Sequence, residues 1–266
     1  MPKSAPTPTP AASISLNEVA TRYLDSLQRV YDIVSYSLAA SRRINEHDYD
    51  EFSQQLQVMP RQQARMDFEK AKDATEHWFL RNSLGDAIAL VGPLMEDCRT
   101  ISALCTYKVA GKNDQARLQA IVGEERQKFM QLPAKEKFRV LTEEYSVSSP
   151  VQEHIEGLLD AAKCLIWKNG VVSEEEVNSD GKLKFKIRTV HIVPVSAPSP
   201  GKEPTLSITR RMGDSEKVFA VGETIGLSKA EHIGAIITVG LFIASMLQAL
   251  QDFAKKIGAA DDAKPV

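Results

Sequence analysis

Cysteine is scarce and unpatterned in this chain. Cys98, Cys105 and Cys164 are an odd three with no CxxC spacing. That leaves no disulfide framework and no zinc-ribbon spacing, and their apolar helical settings read as reduced, buried thiols of an intracellular protein. An excess of charge is missing too. The 33 basic and 35 acidic residues leave a net charge of −2, so no global field draws the chain to nucleic acid or to a membrane surface. Any electrostatic function has to come from a local patch. Absent as well are HExxH, GxSxG, Walker and GxGxxG runs, which removes the usual marks of zincin, hydrolase-elbow and nucleotide-loop chemistry. The five histidines, at 47, 77, 154, 191 and 232, are scattered. In INEHDYDEF the residues Glu46, His47, Asp48, Asp50 and Glu51 bunch, but the turning glycine and distal glutamate of a calcium loop are missing, so the stretch reads as a solvated acidic connector. No metal, cofactor or catalytic residue is expected.

What is present is an ordinary globular composition, 43% hydrophobic and 26% charged over 266 residues, enough for a sizeable core. MPKSAPTPTPAAS is too dense in proline for a helix or a sheet ladder and has no apolar run of a secretory signal, so 1–13 reads as a disordered tail. A single helical domain is expected over 14–257, with a β insertion at about 171–226, and a second disordered tail over 258–266.

The stretch Ser228 to Ile257 anchors that expectation. Ser228 and Glu231 form a capping box, and no charged side chain occurs from Ile233 to Leu247. A helix apolar on every face has to be surrounded, by protein or by lipid. Gln248 and Ser245 interrupt it and no aromatic belt brackets it, which favours a buried central helix over a membrane tail anchor.

Upstream, Ser15 and Glu18 suggest another box, opening a helix to about Arg43 with the stripe Leu16, Val19, Tyr23, Leu24, Leu27, Val30, Tyr31, Val34 and Leu38. A second helical region, 61–108, is kinked or split at Pro93 and carries Trp78, Leu80, Leu84, Ile88, Val91, Met95, Cys98, Ile101 and Cys105 inward. Asn113 to Leu132 follows, with Leu118, Ile121, Val122, Phe129 and Met130 inward, then Pro133 to Tyr145 with Phe138 and Leu141. Ser149-Pro150 reads as an N-cap and first-turn proline for a helix carrying Val151, Ile155, Leu158, Leu159, Ala162, Leu165 and Ile166, stopped by Gly170.

At Val171 the period turns to two. In KLKFKIR, Leu183, Phe185 and Ile187 face one way and Lys182, Lys184, Lys186 and Arg188 the other. Asp180-Gly181 suggests a hairpin back to Val171–Val177, a slip of phase suggests a bulge near Thr189, and Thr205–Arg210 is expected as a third strand. The cation row, with Lys202, Arg210 and Arg211 nearby, is the candidate nucleic-acid face, since each cation on a phosphate releases a counterion. Protection of a sheet edge explains the same lysines, and Glu174, Glu175 and Glu176 are expected to oppose them.

The helices around HWFLRNSLGDAIALVGPLMEDC (His77 to Cys98), paired with Val151 to Lys168, resemble the HEPN superfamily of helical bundles. The ending KVFAVGETIGLSKAEHIGAIITVGLFIASML resembles the tails of bacterial helical proteins. The resemblance covers at most about half the chain. HEPN ribonucleases carry an arginine, a polar residue and, a few positions on, a histidine. Arg81-Asn82 begins that pattern with no histidine in reach, and Arg42 to His47 has the spacing with Arg43 in the polar slot. The resemblance therefore implies a degenerate, binding-only version. The expectation is a mainly α, cytoplasmic, bacterial-type multi-helix bundle with a small antiparallel β-sheet inserted before a buried C-terminal helix. It would serve as a non-enzymatic interaction or regulatory module with a protein partner or self-association. The alternative is a HEPN-like RNA-binding or RNA-cleaving protein.

Overall fold

The computed structural model describes residues 15–55, 66–111, 114–195 and 207–259. The expected tail 1–13, Lys202, most of the loop 194–204 and residues 260–266 lie outside the described residues. Within them the fold is the expected mainly helical bundle, with a small antiparallel sheet before the last helix. That helix, α9 (Lys229–Lys256), begins with the reciprocal box: the Glu231 N–H donates to the Ser228 hydroxyl and the Ser228 N–H to the Glu231 carboxylate. Ala235, Val239, Phe242, Ile243 and Met246 in its charge-free middle are fully buried. By length and composition α9 could cross a membrane, but 61% of its most apolar window is enclosed by the other elements. Gly258 (φ +72°) closes it, and the Ala259 N–H donates to the Ala254 carbonyl at 2.9 Å.

Several helices pack along α9. α1 (Leu16–Ser41) starts at Ser15, whose hydroxyl accepts from the Glu18 N–H, and buries Val19, Tyr23, Leu27, Val30 and Val34. Leu24, expected in that stripe, is 45% exposed because it follows Tyr23 by about 100° around the helix, off the covered seam. The expected acidic connector is instead a helix, α2 (Glu46–Gln55). Asn45 and Asp48 form a box of their own: the Asp48 N–H donates to the Asn45 side chain (3.0 Å) and the Asn45 N–H to the Asp48 carboxylate (3.3 Å). Its acids thus complement the helix N-terminus. α3 (Phe68–Ile88) and α4 (Val91–Val109) are split at Ala89-Leu90, and Pro93 falls in the first turn of α4, where its missing N–H costs nothing. Leu80, Leu84, Val91, Met95 and Cys98 are buried as expected, but Trp78 is not. It lies two residues, about 200° of helix, from Leu80 and is 52% exposed.

α5 (Gln115–Ala120), a π turn (Ile121–Glu125) and α6 (Arg126–Met130) follow. Ile121 and Phe129 are buried, whereas Val122 and Met130, each one residue past a buried position, are exposed. α7 (Ala134–Tyr145) buries Phe138, which meets Phe242 of α9 edge to face at 5.7 Å. α8 (Gln152–Trp167) begins later than the Ser149-Pro150 signal suggests. The Ser149 hydroxyl accepts from the Val151 N–H in the turn before the helix and also meets the Ser245 hydroxyl of α9 at 2.7 Å. Ile155, Leu158 and Leu165 are buried, and Ile166 is partly exposed.

The sheet differs most from expectation. β1 (Lys182–Val195) pairs antiparallel with β2 (Ser207–Ala220) in one unbroken register, Lys182 opposite Ala220 through to Val195 opposite Ser207. Thr189 therefore sits in regular pairing with Gly213, without a bulge. The stretch 171–177 is not a strand. Val171 makes only an isolated bridge to Thr224, and Asn178 to Gly181 form a turn that delivers the chain into β1. The two-residue period in KLKFKIR is real, but the long second strand, dilute in β-branched residues, supplies the partner. β1 lies directly on two helices where glycine admits it. A Cβ at Gly157 of α8 would meet the Lys184 carbonyl at 2.9 Å, and one at Gly234 of α9 would meet the Arg188 carbonyl at 2.4 Å. Beside it the Arg188 N–H donates to the Thr238 hydroxyl at 2.8 Å. Leu183, Phe185 and Ile187 thereby enter the core shared by α8 and α9.

Candidate functional site

Three of the four cations in the β1 row are matched by acids, though not the expected ones. Lys184 pairs with Asp180, Lys186 with Glu153 of α8 at 2.9 Å, and Arg188 with Asp214 of β2 at 3.2 Å. Glu216 lies directly opposite Lys186 in the register, and Lys182 opposite Ala220. Glu175 and Glu176 are not on a partner strand: both hold Lys168 at the end of α8, at 2.9 and 2.6 Å. Arg210 and Arg211 occupy β2 positions opposite Ile192 and His191, and their side chains lie outside the described residues. Beneath the row the buried His154 has Nε2 at 3.3 Å from Asp214. The ribbon face is thus tied to α8 by the Lys186–Glu153 ion pair.

A different place gathers unmatched polar groups. The end of α8 is turned by Asn169 (φ +52°) and Gly170 (φ +83°), and the Gly170 N–H donates back to the Cys164 carbonyl at 2.8 Å. At that φ glycine is the natural occupant. The Ile225 N–H donates to the Gly170 carbonyl and the Val172 N–H to the Glu223 carbonyl, which straps the segment before α9 onto the end of α8. The strap and one face of α3 enclose a cleft of about 380 Å³. Its floor includes Leu165, Ile225 and Leu227. Its α3 wall is His77, Trp78 and Arg81, and its far side is His232 of α9.

The geometry of these groups follows from helical spacing. His77 and Arg81 are one turn apart on α3, and Trp78 stands beside them with its indole in solvent. His232, in the second turn of α9, meets His77 with ring centroids 5.8 Å apart. The His232 Nδ1 lies 3.1 Å from the Ser228 carbonyl, so the neutral ring carries its proton there and keeps Nε2 as the basic nitrogen. Burial, above all, holds the His232 pKa below the ordinary histidine range. Asp73 lies 3.8 Å from His77 but is also held by Lys229, which reaches Glu76 at 2.5 Å as well. That bond first, and the one from Ser41, keep the Glu76 carboxyl below the usual range. Arg81, half-buried, makes no hydrogen bond or ion pair with the described residues.

Helical spacing in the sequence already places His77 and Arg81 on one face. It carries no sign that His232 joins them, because that contact spans 155 positions and depends on how α3 lies across α9. The other motif segment fares differently: Arg42 caps α1 and His47 opens α2, both exposed. A larger hollow of about 690 Å³ beside α4 is lined by Tyr107, Arg117, Glu125 and Tyr145, and there the charges are matched, since Glu125 takes both Arg99 and Arg117. No protein-family model, curated protein or solved structure matches this chain.

Proposed function

We propose that the protein is a non-enzymatic interaction or regulatory module that recognises its partner through the cleft between α3, the end of α8 and the start of α9. One observation carries the reading: a half-buried guanidinium without an acid, Arg81, shares a cleft with an indole that the fold leaves in solvent. Burying either without a partner costs free energy, and a ligand that covers both recovers it. The lining offers hydrogen-bond donors and apolar walls, which suit recognition.

The test is site-specific photocrosslinking in extracts of the protein's own cells. A photoreactive residue at the exposed Ala74 of the cleft lining is expected to give a discrete product that Arg81→Glu abolishes, while one at the exposed Lys128 of α6 gives none. The same products from both positions would end this reading.

An RNA-directed protein of the HEPN kind has one observation in its favour: the fold brings His77 and His232 to Arg81, whose linear motif lacks a histidine. Under that reading an oligoribonucleotide binds, its affinity falls steeply with salt, and His232→Ala stops any cleavage. Binding that persists after Arg81→Glu but is lost in Lys184→Glu with Lys186→Glu would move the site to the β1 face.

A further inference from the structure

We infer that the cleft beside Trp78 is a site for a nucleoside monophosphate, a planar ring stacked on the indole with its phosphate on Arg81. The inference rests on the cleft being a recognition site and names the chemistry of what enters it.

Three features select that class. Trp78 is 52% exposed although it lies on a helix with a buried neighbour on either side, Glu76 and Leu80; Phe79 meets its indole edge to face at 5.1 Å, and the rest of the ring is open at the cleft's edge. An aromatic face of that kind is covered by another ring at little cost in ordering. Arg81, one turn further along, presents a fork of N–H donors that nothing described engages, and planar bidentate donors suit phosphate oxygens. The spacing from Trp78 to Arg81, three residues on one face, brings ring site and anion site side by side. The volume of about 380 Å³ accommodates a ligand of that size and is small for a folded partner's side-chain cluster.

The charges around the cleft set how the phosphate is balanced. From α3 come Asp73, Glu76, His77 and Arg81. From α9 come Lys229, which Asp73 and Glu76 both hold, Glu231, which takes Lys217, and His232. From the end of α8 comes Lys168, held by Glu175 and Glu176, and from the strap Glu223, which accepts from the Ala220 N–H. Among these described residues Arg81 is the cation left over, and a phosphate seated on it lies in the cleft that His77 and His232 also line.

Fluorescence tests the idea directly, because Trp167 is the chain's other tryptophan and Trp167→Phe leaves Trp78 as the single indole. Adenosine 5′-monophosphate, adenosine and inorganic phosphate are titrated into that protein at pH about 8, where the phosphate is a dianion. The expected result is saturable quenching by the monophosphate, at least roughly tenfold weaker binding of either half alone, and a loss of at least roughly tenfold with Arg81→Gln. Calorimetry on Trp78→Ala and a melting curve for each variant show that the loss is local rather than a failure to fold.

No quenching by the monophosphate up to millimolar concentration, or full affinity in a folded Arg81→Gln, overturns the inference. A 5′-phosphorylated oligoribonucleotide that binds far more tightly than the mononucleotide overturns it in favour of the RNA reading. If the monophosphate fails while the crosslink at position 74 survives, the inference falls and the recognition cleft stands. If both fail, the cleft is not a recognition site.

Discussion

His232 shows how much one residue can carry. Its ring closes the cleft, caps the first turn of α9 through the Ser228 carbonyl, and is 4% exposed. Burial lowers its pKa in the fold, so the unfolded chain takes up a proton at higher pH than the native one. Its contribution to stability is therefore complete above the unfolded value of roughly 6.5 and is lost as pH falls through that value towards the folded one. Glu76 works in a lower window and with the opposite chemistry. Its folded pKa is depressed by Lys229, so its contribution is complete above roughly 4.3 and is lost in more acid solution. Urea melts at pH about 7 and about 5.5 separate the two. Wild-type protein is expected to lose stability between those values, and His232→Gln to lose less of it. An unchanged drop in the variant would mean that the imidazole is not held neutral by burial. Asn82 makes a smaller point at this scale. Next to Arg81, Asn82 spends its amide on the Trp78 carbonyl at 2.7 Å and stays out of the cleft lining.

At the scale of elements, the contact between β1 and α9 is decided by what is missing from a side chain. The Arg188 carbonyl sits where a Cβ of Gly234 would be, at 2.4 Å, and both atoms belong to backbone that cannot swing away. Gly234→Ala is therefore expected to destabilise by about 1–3 kcal/mol, the ordinary cost of overpacking. Gly123, in the exposed π turn, has nothing within 4 Å of its absent Cβ, and Gly123→Ala should stabilise by about 0.5–1 kcal/mol. For a chain of this length each kcal/mol moves the melting temperature by about 2–4 °C, so thermal denaturation resolves both signs. If Gly234→Ala melts like wild type, β1 does not lie on α9 as described.

Over the whole molecule, one hydrophobic cluster runs through α1, α3, α4, α8, β1 and α9. Two thiols report on it from different helices. Cys98 of α4 and Cys164 of α8 are fully buried and Cys105 is half-buried, and burial pushes all three thiols up, Cys98 furthest. In native buffer a thiol reagent is expected to modify Cys105 first. Cys98 and Cys164 should then become reactive together, at the urea concentration where the far-ultraviolet circular dichroism is lost. Labelling of one well before the other would show that the core opens in parts.

Much of this was legible along the chain because it depends on near neighbours. The capping box at Ser228, the charge-free middle of α9, the glycine stop at Gly170 and the inward face of KLKFKIR are local patterns, set by hydrogen-bonding groups and periodicities within a few residues. Other features belong to the tertiary structure alone. A strand's period does not name its partner, so β1 was paired by sequence with 171–177 when the fold pairs it with 207–220. An apolar residue does not say which face a neighbour covers, so Trp78, Leu24, Val122 and Met130 read as core and lie outside. Along the chain the cation row looks unpaired because two of its acids, Glu153 and Asp214, are far away in sequence. His232 reaches His77 and Arg81 only because α3 lies across the start of α9. Local sequence determined the helices and their ends; which faces remain open, and which charges remain unmatched, was decided by how the helices pack.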